Sequence, residues 1–183
     1  MNENDEPKHI KAFLCALSAL NDELGETKSD RVAVIMSVAL LDNALESVLR
    51  QFFIARSGAT PDECDFLLTK QPVPPLGSAG VRVRLAKCLG IISVKEARAL
   101  KFAISCRNDF AHQLAPPPLT EDVAKGLADR LPNVIRDMAA TARNVMAPHN
   151  GDSATPRWIF ITACVAVYVF LSLRAAAFAG EAF

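Results

Sequence analysis

Apolar residues recur every three or four positions along most of this chain, and no stretch alternates apolar and polar residues as a half-buried strand would. From residue 8 to about 24, Ile10, Phe13, Leu14, Leu17 and Leu20 fall on one helical stripe, after a polar segment, 1–7, that reads as a frayed tail. Ser29-Asp30 offers N-cap chemistry for the longest pattern, residue 30 to about 57. Its first half is apolar nearly all round, which predicts burial. In its second half Leu41, Leu45, Val48, Leu49 and Phe52 line one face, opposite Asn43, Glu46, Ser47 and Arg50. Gly58 and Pro61 mark a break before a brief helix at about 62–69, and the prolines and glycines of 71–80 make a loop.

A helix at about 81–89 follows, with Gly90 placed to close it. Ser93-Val94-Lys95-Glu96 has the spacing of a capping box, in which Ser93 accepts from the Glu96 amide and the Glu96 carboxylate reaches back. The helix it opens carries Ala97, Leu100, Ala103, Ile104 and Arg107 on one stripe and continues to about His112. Pro116, Pro117 and Pro118 lie just beyond, where proline lacks the amide a helix needs. Thr120-Glu121-Asp122 begins another helix, which Pro132 kinks or divides. Residues 148–154 read as a polar linker, and Thr155-Pro156 as N-cap and first residue of a last helix, about 156–178. The expected fold is all-α, a single bundle of six to seven helices in one domain over 8–183.

Composition sharpens this picture. Apolar residues make up 51% of the 183 but aromatic ones only 7%, so Ala, Leu and Val carry the core, as in packed helices. Twenty basic and 20 acidic residues cancel, which removes the positive footprint that a duplex binder needs. The five cysteines are odd in number and contain no C-x-x-C pair. Cys15, Cys88, Cys106 and Cys164 sit among apolar neighbours and read as core, whereas Cys64, in an acidic stretch, reads as more exposed. Neither a disulfide framework nor a zinc site is expected, and a reducing, cytoplasmic setting suits the thiols. The acidic start MNENDEPKH predicts no secretory signal.

Residues 158–173 carry no charge until Arg174 interrupts them. Two readings compete: a fully buried central helix, or a tail anchor. The run falls short of the roughly 20 apolar residues a spanning helix needs, so the buried helix is the expectation and membrane binding is not.

The chemistry concentrates in one hexad, Arg107-Asn108-Asp109-Phe110-Ala111-His112. Arg107 and His112 are about 140° apart around a helix axis, so they can border one groove without stacking. A guanidinium suits phosphate or carboxylate, and an imidazole moves a proton near neutral pH. Together they have the minimum needed to cleave RNA without a metal.

Arg-x4-His late in a helix, with Asn after the Arg, resembles the HEPN superfamily, which implies a metal-independent endoribonuclease with His112 as base, Arg107 holding the phosphate and Asn108 orienting it. A second resemblance covers residues 29 to 115. Ser29-Asp30-Arg31, Ala39-Leu40-Leu41-Asp42, Pro75-Leu76-Gly77-Ser78, Leu85-Ala86-Lys87-Cys88-Leu89-Gly90-Ile91-Ile92-Ser93 and the hexad occur in the order seen in the mannitol operon repressor family. That resemblance implies a non-enzymatic helical regulator acting through protein contacts, expected as a homodimer without cofactor.

A structural role for the hexad competes with both. Arg107 shares its stripe with Leu100 and Ile104, so it is expected to pair with Asp30 or Asp42 on the long helix, in a polar cluster that includes Arg31 and His112. His112 would then cap carbonyls at the helix end. Phe110 and Ala111 read as packing residues, and Asp109 would repel a phosphate. Arg82, Arg84 and Lys87 read as a solvated helix face, though convergence with Arg107 would make a positive groove. His9 and His149 fall in polar stretches, and no His, Cys or carboxylate spacing suggests a metal. No helix-turn-helix stands out, so direct reading of an operator is not expected.

Overall fold

The computed structural model describes residues 29–69, 73–115, 118–150 and 155–181. The expected tail at 1–7 and helix at 8–24, with His9 and Cys15, lie outside the described residues. Seven helices and no strand occur among those described: α1 (Asp30–Ser57), α2 (Pro61–Leu68), α3 (Ala79–Cys88), α4 (Val94–His112), α5 (Glu121–Arg130), α6 (Asn133–Asn150) and α7 (Pro156–Glu181). The chain is an all-α bundle.

Local chemistry sets most of the boundaries. Ser29 is extended and its side chain accepts from the Val32 amide, so α1 begins where its cap lies. α1 ends at Gly58, whose φ of 65° puts the backbone in the left-handed region that other residues adopt at a cost. Ser93 and Glu96 form the expected capping box, and Thr60 and Glu63 form a second one at the start of α2. α3 starts at Ala79, earlier than expected, because the Ser78 hydroxyl accepts from the Val81 amide.

Pro132 divides rather than kinks: it holds Leu131 extended, and α5 and α6 are separate helices. The linker expected at 148–154 begins later than anticipated, because α6 continues to Asn150. Pro148 falls in the last turn of α6, two residues before its end.

Packing centres on α7. It lies most extensively against α1, then against α6 and α5. Every residue from Trp158 to Val167 is buried, so this stretch is enclosed on all sides. α1 and α7 run parallel. Ala33 and Trp158 share one apolar cluster near their N-termini, and the rings of Phe52 and Phe178 meet edge to face at 5.4 Å near their C-termini. α4 closes the other side of α1 and packs on α3 and α5.

By length and composition α1 and α7 are each apolar enough to cross a membrane, and 50% and 61% of their most apolar stretches lie inside this fold. Each is the other's main cover.

Two cysteines depart from expectation. Cys64 is buried, because it lies one turn before Leu68 on the inner face of α2, while Asp62 and Glu63 before it are exposed. Cys88 is exposed, because it ends α3 off the buried stripe of Ala79, Arg82, Val83 and Ala86.

Replacing Phe160, which has no exposed surface, with alanine is expected to cost about 3–5 kcal/mol, read from urea unfolding. Leu173→Ala, on the same helix but 48% exposed, should cost under about 1 kcal/mol. Equal losses would contradict the burial of α7.

Candidate site at the end of α4

α4 presents its hexad in the last two turns. Phe110 is buried and serves packing, Ala111 is half-buried, and Asn108, Asp109 and His112 are exposed. Arg107 is half-buried. Among the described residues no hydrogen bond or ion pair is formed by the side chains of Arg107, Asn108 or His112.

The expected pairing of Arg107 with Asp30 or Asp42 does not form. Asp30 Oδ2 accepts from the Leu119 amide at 3.3 Å and so ties the start of α1 to the approach of α5. Asp42 Oδ1 accepts from Arg82 Nη1 at 2.9 Å, further along α1. His112 does not cap the end of α4 either. That task falls to Arg31, whose Nη2 donates to the Ala111 carbonyl at 2.8 Å, one of the acceptors a helix end leaves unsatisfied. The five residues expected as one polar cluster therefore separate. Asp30, Arg31, Arg107 and His112 belong to the end of the bundle where α1 begins and α4 stops, and Asp42 belongs to another network.

That network contains the main surprise. Arg82, expected on a solvated face, is 5% exposed. Its guanidinium donates to the Leu76 and Leu68 carbonyls at 2.8 and 3.0 Å and pairs with Asp42 at 2.9 Å and Glu46 at 3.2 Å. Every direction of the fork is used, as a buried cation requires. Arg84 and Lys87 remain exposed. Convergence of the basic run on Arg107 is thus denied its innermost member.

A second buried charge also went unforeseen. Glu96 is 4% exposed and, besides capping α4, pairs with Arg174 of α7 at 3.1 Å. Arg174 also donates to the Ile91 carbonyl at 2.6 Å and lies 4.3 Å from the centre of the Phe170 ring. The signal for Arg82 was present in its spacing, since residues 79, 82, 83 and 86 form a helical stripe.

Burial shifts the ionisable groups packed near the hexad. Burial, with Asp109 adding to it, pushes the Cys106 thiol up to about 11, so it is not a nucleophile at neutral pH. Burial pulls the Arg157 guanidinium at the start of α7 below its usual value, and Asp30 acts in the opposite sense. No group of three or more His, Cys, Asp or Glu suited to a metal occurs among the described residues. The end of α4 can offer a guanidinium, an amide and an imidazole to an incoming surface or anion. Leu114, two residues on, has its side chain fully open to solvent.

If Arg107 is uncommitted and Arg31 holds the helix end, their alanine variants must differ. Arg31→Ala is expected to lower unfolding stability by about 1–2 kcal/mol and Arg107→Ala by under about 0.5 kcal/mol, both from urea titrations. A larger loss from Arg107→Ala than from Arg31→Ala would restore a scaffold role for the hexad. Compared with family models, curated proteins and solved structures, the chain gives no match, so the reading of this site rests on its residues and their geometry.

Proposed function

We propose that this chain is a non-enzymatic helical regulator that works through protein contacts, with the end of α4 as its contact surface. The observation that carries the reading is the contrast in how its charges are used. Arg82, Glu96 and Arg174 are spent inside the fold, while Arg107, Asn108 and His112 form no bond among the described residues and stand beside open Leu114. An arginine left without an internal partner at a solvent-facing helix end is the kind of side chain enriched in binding hot spots. The ordered sequence blocks that resemble the mannitol operon repressor family point to the same kind of role. In this reading the working form is a cytoplasmic homodimer, α7 is a core helix rather than an anchor, and no cofactor takes part.

An affinity capture with the full chain from its own cells, repeated with Arg107→Ala/His112→Ala, tests the proposal. A specific partner should bind the parent chain and lose at least about tenfold in affinity to the double variant, with unfolding midpoints unchanged. Equal binding by both, or no partner at all, would count against it.

A second reading, the HEPN-type endoribonuclease, is favoured by one observation: His112 is exposed and Arg107 is uncommitted, so a phosphate and its ribose hydroxyl can reach both. The exposed Asp109 and the diverted Arg82 weaken it, because a polyanion then meets little net positive charge. It predicts cleavage of single-stranded RNA in EDTA that His112→Ala abolishes while the fold survives. RNA left intact after long incubation at high protein concentration would end that reading.

A further inference from the structure

α2 is eight residues long and buries only two side chains, Cys64 and Leu68, in its packing on α1. So short a helix with so little apolar burial does not hold itself in place. What fastens it is mostly polar. From α3, Arg82 sends Nη2 to the carbonyl of Leu68, the last residue of α2, and Nε to the carbonyl of Leu76. The same guanidinium reaches Asp42 and Glu46 on α1. One side chain thus joins α1, the end of α2, the segment at Leu76 and α3.

Lesser ties support it, among them the Cys64 thiol donating to the Arg50 carbonyl at 4.0 Å. Arg50 of α1 pairs with Asp65 of α2 at 2.6 Å, both about a quarter exposed, and the Leu76 amide donates to the Leu67 carbonyl at 3.0 Å. On the other side, the chain enters α2 through Gly58, whose left-handed backbone is a natural pivot.

Release of such a clasp is cooperative, because losing one guanidinium frees both carbonyls together. It is also far cheaper than melting the α1–α7 core. Asp42 and Glu46 are already 31% and 24% exposed, and water takes over their hydrogen bonds once Arg82 leaves. We propose that α2 is a separately opening flap, pivoting at Gly58 and latched by Arg82, whose release uncovers Cys64 and the α1 surface beneath it while the rest of the bundle stays folded. The open apolar groove formed by Phe53 of α1 with Phe66 and Leu67 of α2 straddles this seam, so the latch also sets its shape. In the closed state burial raises the Cys64 thiol above its usual range, partly offset by Arg50, and keeps it unreactive.

Iodoacetamide labelling of the full native chain, resolved by peptide mass spectrometry and with each rate divided by that in the unfolded chain, reads the flap directly. Exposed Cys88 is the fast control, and buried Cys106 and Cys164 are the clocks for global unfolding. Cys64 should label at least about tenfold faster than Cys106 and Cys164, as local opening does relative to global. Arg82→Lys keeps the charge but cannot span both carbonyls and both carboxylates. It should speed Cys64 at least about tenfold more, the effect of losing one charge-assisted hydrogen bond. Ile161→Val, in the core away from the flap, weakens the closed and flap-open states alike, so it should speed Cys106 and Cys164 about two- to tenfold and leave Cys64 unchanged. Cys64 labelling in step with Cys106 and Cys164 would overturn the proposal, as would Arg82→Lys leaving Cys64 unchanged or Ile161→Val speeding Cys64 along with the two clocks. Should Arg82→Lys not fold, Asp65→Asn decides: a rise of about two- to fivefold at Cys64 supports the flap, and no rise overturns it.

Discussion

A helix that is apolar on every side must be covered on every side, and α7 imposes that demand on the whole molecule. From Trp158 to Val167 no position faces water, so neighbours must arrive from several directions at once. α1 supplies the longest contact, running parallel from the Ala33–Trp158 cluster to the Phe52–Phe178 ring pair, and α5 and α6 supply the rest. The polar ends of this arrangement follow from it. Where α7 emerges, Arg174 turns back to Glu96 and the Ile91 carbonyl and so ties the far end of α7 to the start of α4. α4 itself then closes α1 from the opposite side.

With the rod enclosed, the ionic groups sort into two kinds. Those drawn inward, Arg82 and Glu96, are fully partnered, as they must be, since an isolated charge out of water costs several kcal/mol. Those at the end of α4 are left over. Arg31 and Asp30 perform structural tasks on backbone groups, at Ala111 and Leu119. Arg107, Asn108 and His112 have no such task among the described residues, and this surplus is the physical basis for placing function there rather than at the Asp42–Arg82 network.

Features encoded within one turn of chain were legible in the sequence. Ser29 and the Ser93–Glu96 box stand where their local chemistry requires, because a cap and its amide are three residues apart, and α7 begins at Pro156, where proline fits the first turn. The all-round apolar character of α7 likewise foretold an enclosed helix. Features that depend on which helix faces which were not legible. Periodicity placed Arg107 on an apolar stripe but could not say that Asp42 would look toward α3 instead. The exposed basic neighbours Arg84 and Lys87 give the run the pattern of a surface, although Arg82's own position matches the buried stripe. Cys64 shows the same limit: Asp62 and Glu63 before it are exposed, yet its own place one turn from Leu68 faces inward.

The enclosure of α7 is open to direct measurement. Native-state hydrogen exchange on the full chain in detergent-free buffer should find the amides of residues 160–167 among the slowest, exchanging only through global unfolding and matching the buried face of α1 at Leu41, Leu45 and Leu49. Rapid exchange across 160–167 in water, with protection appearing only when lipid bilayers are added, would contradict the account.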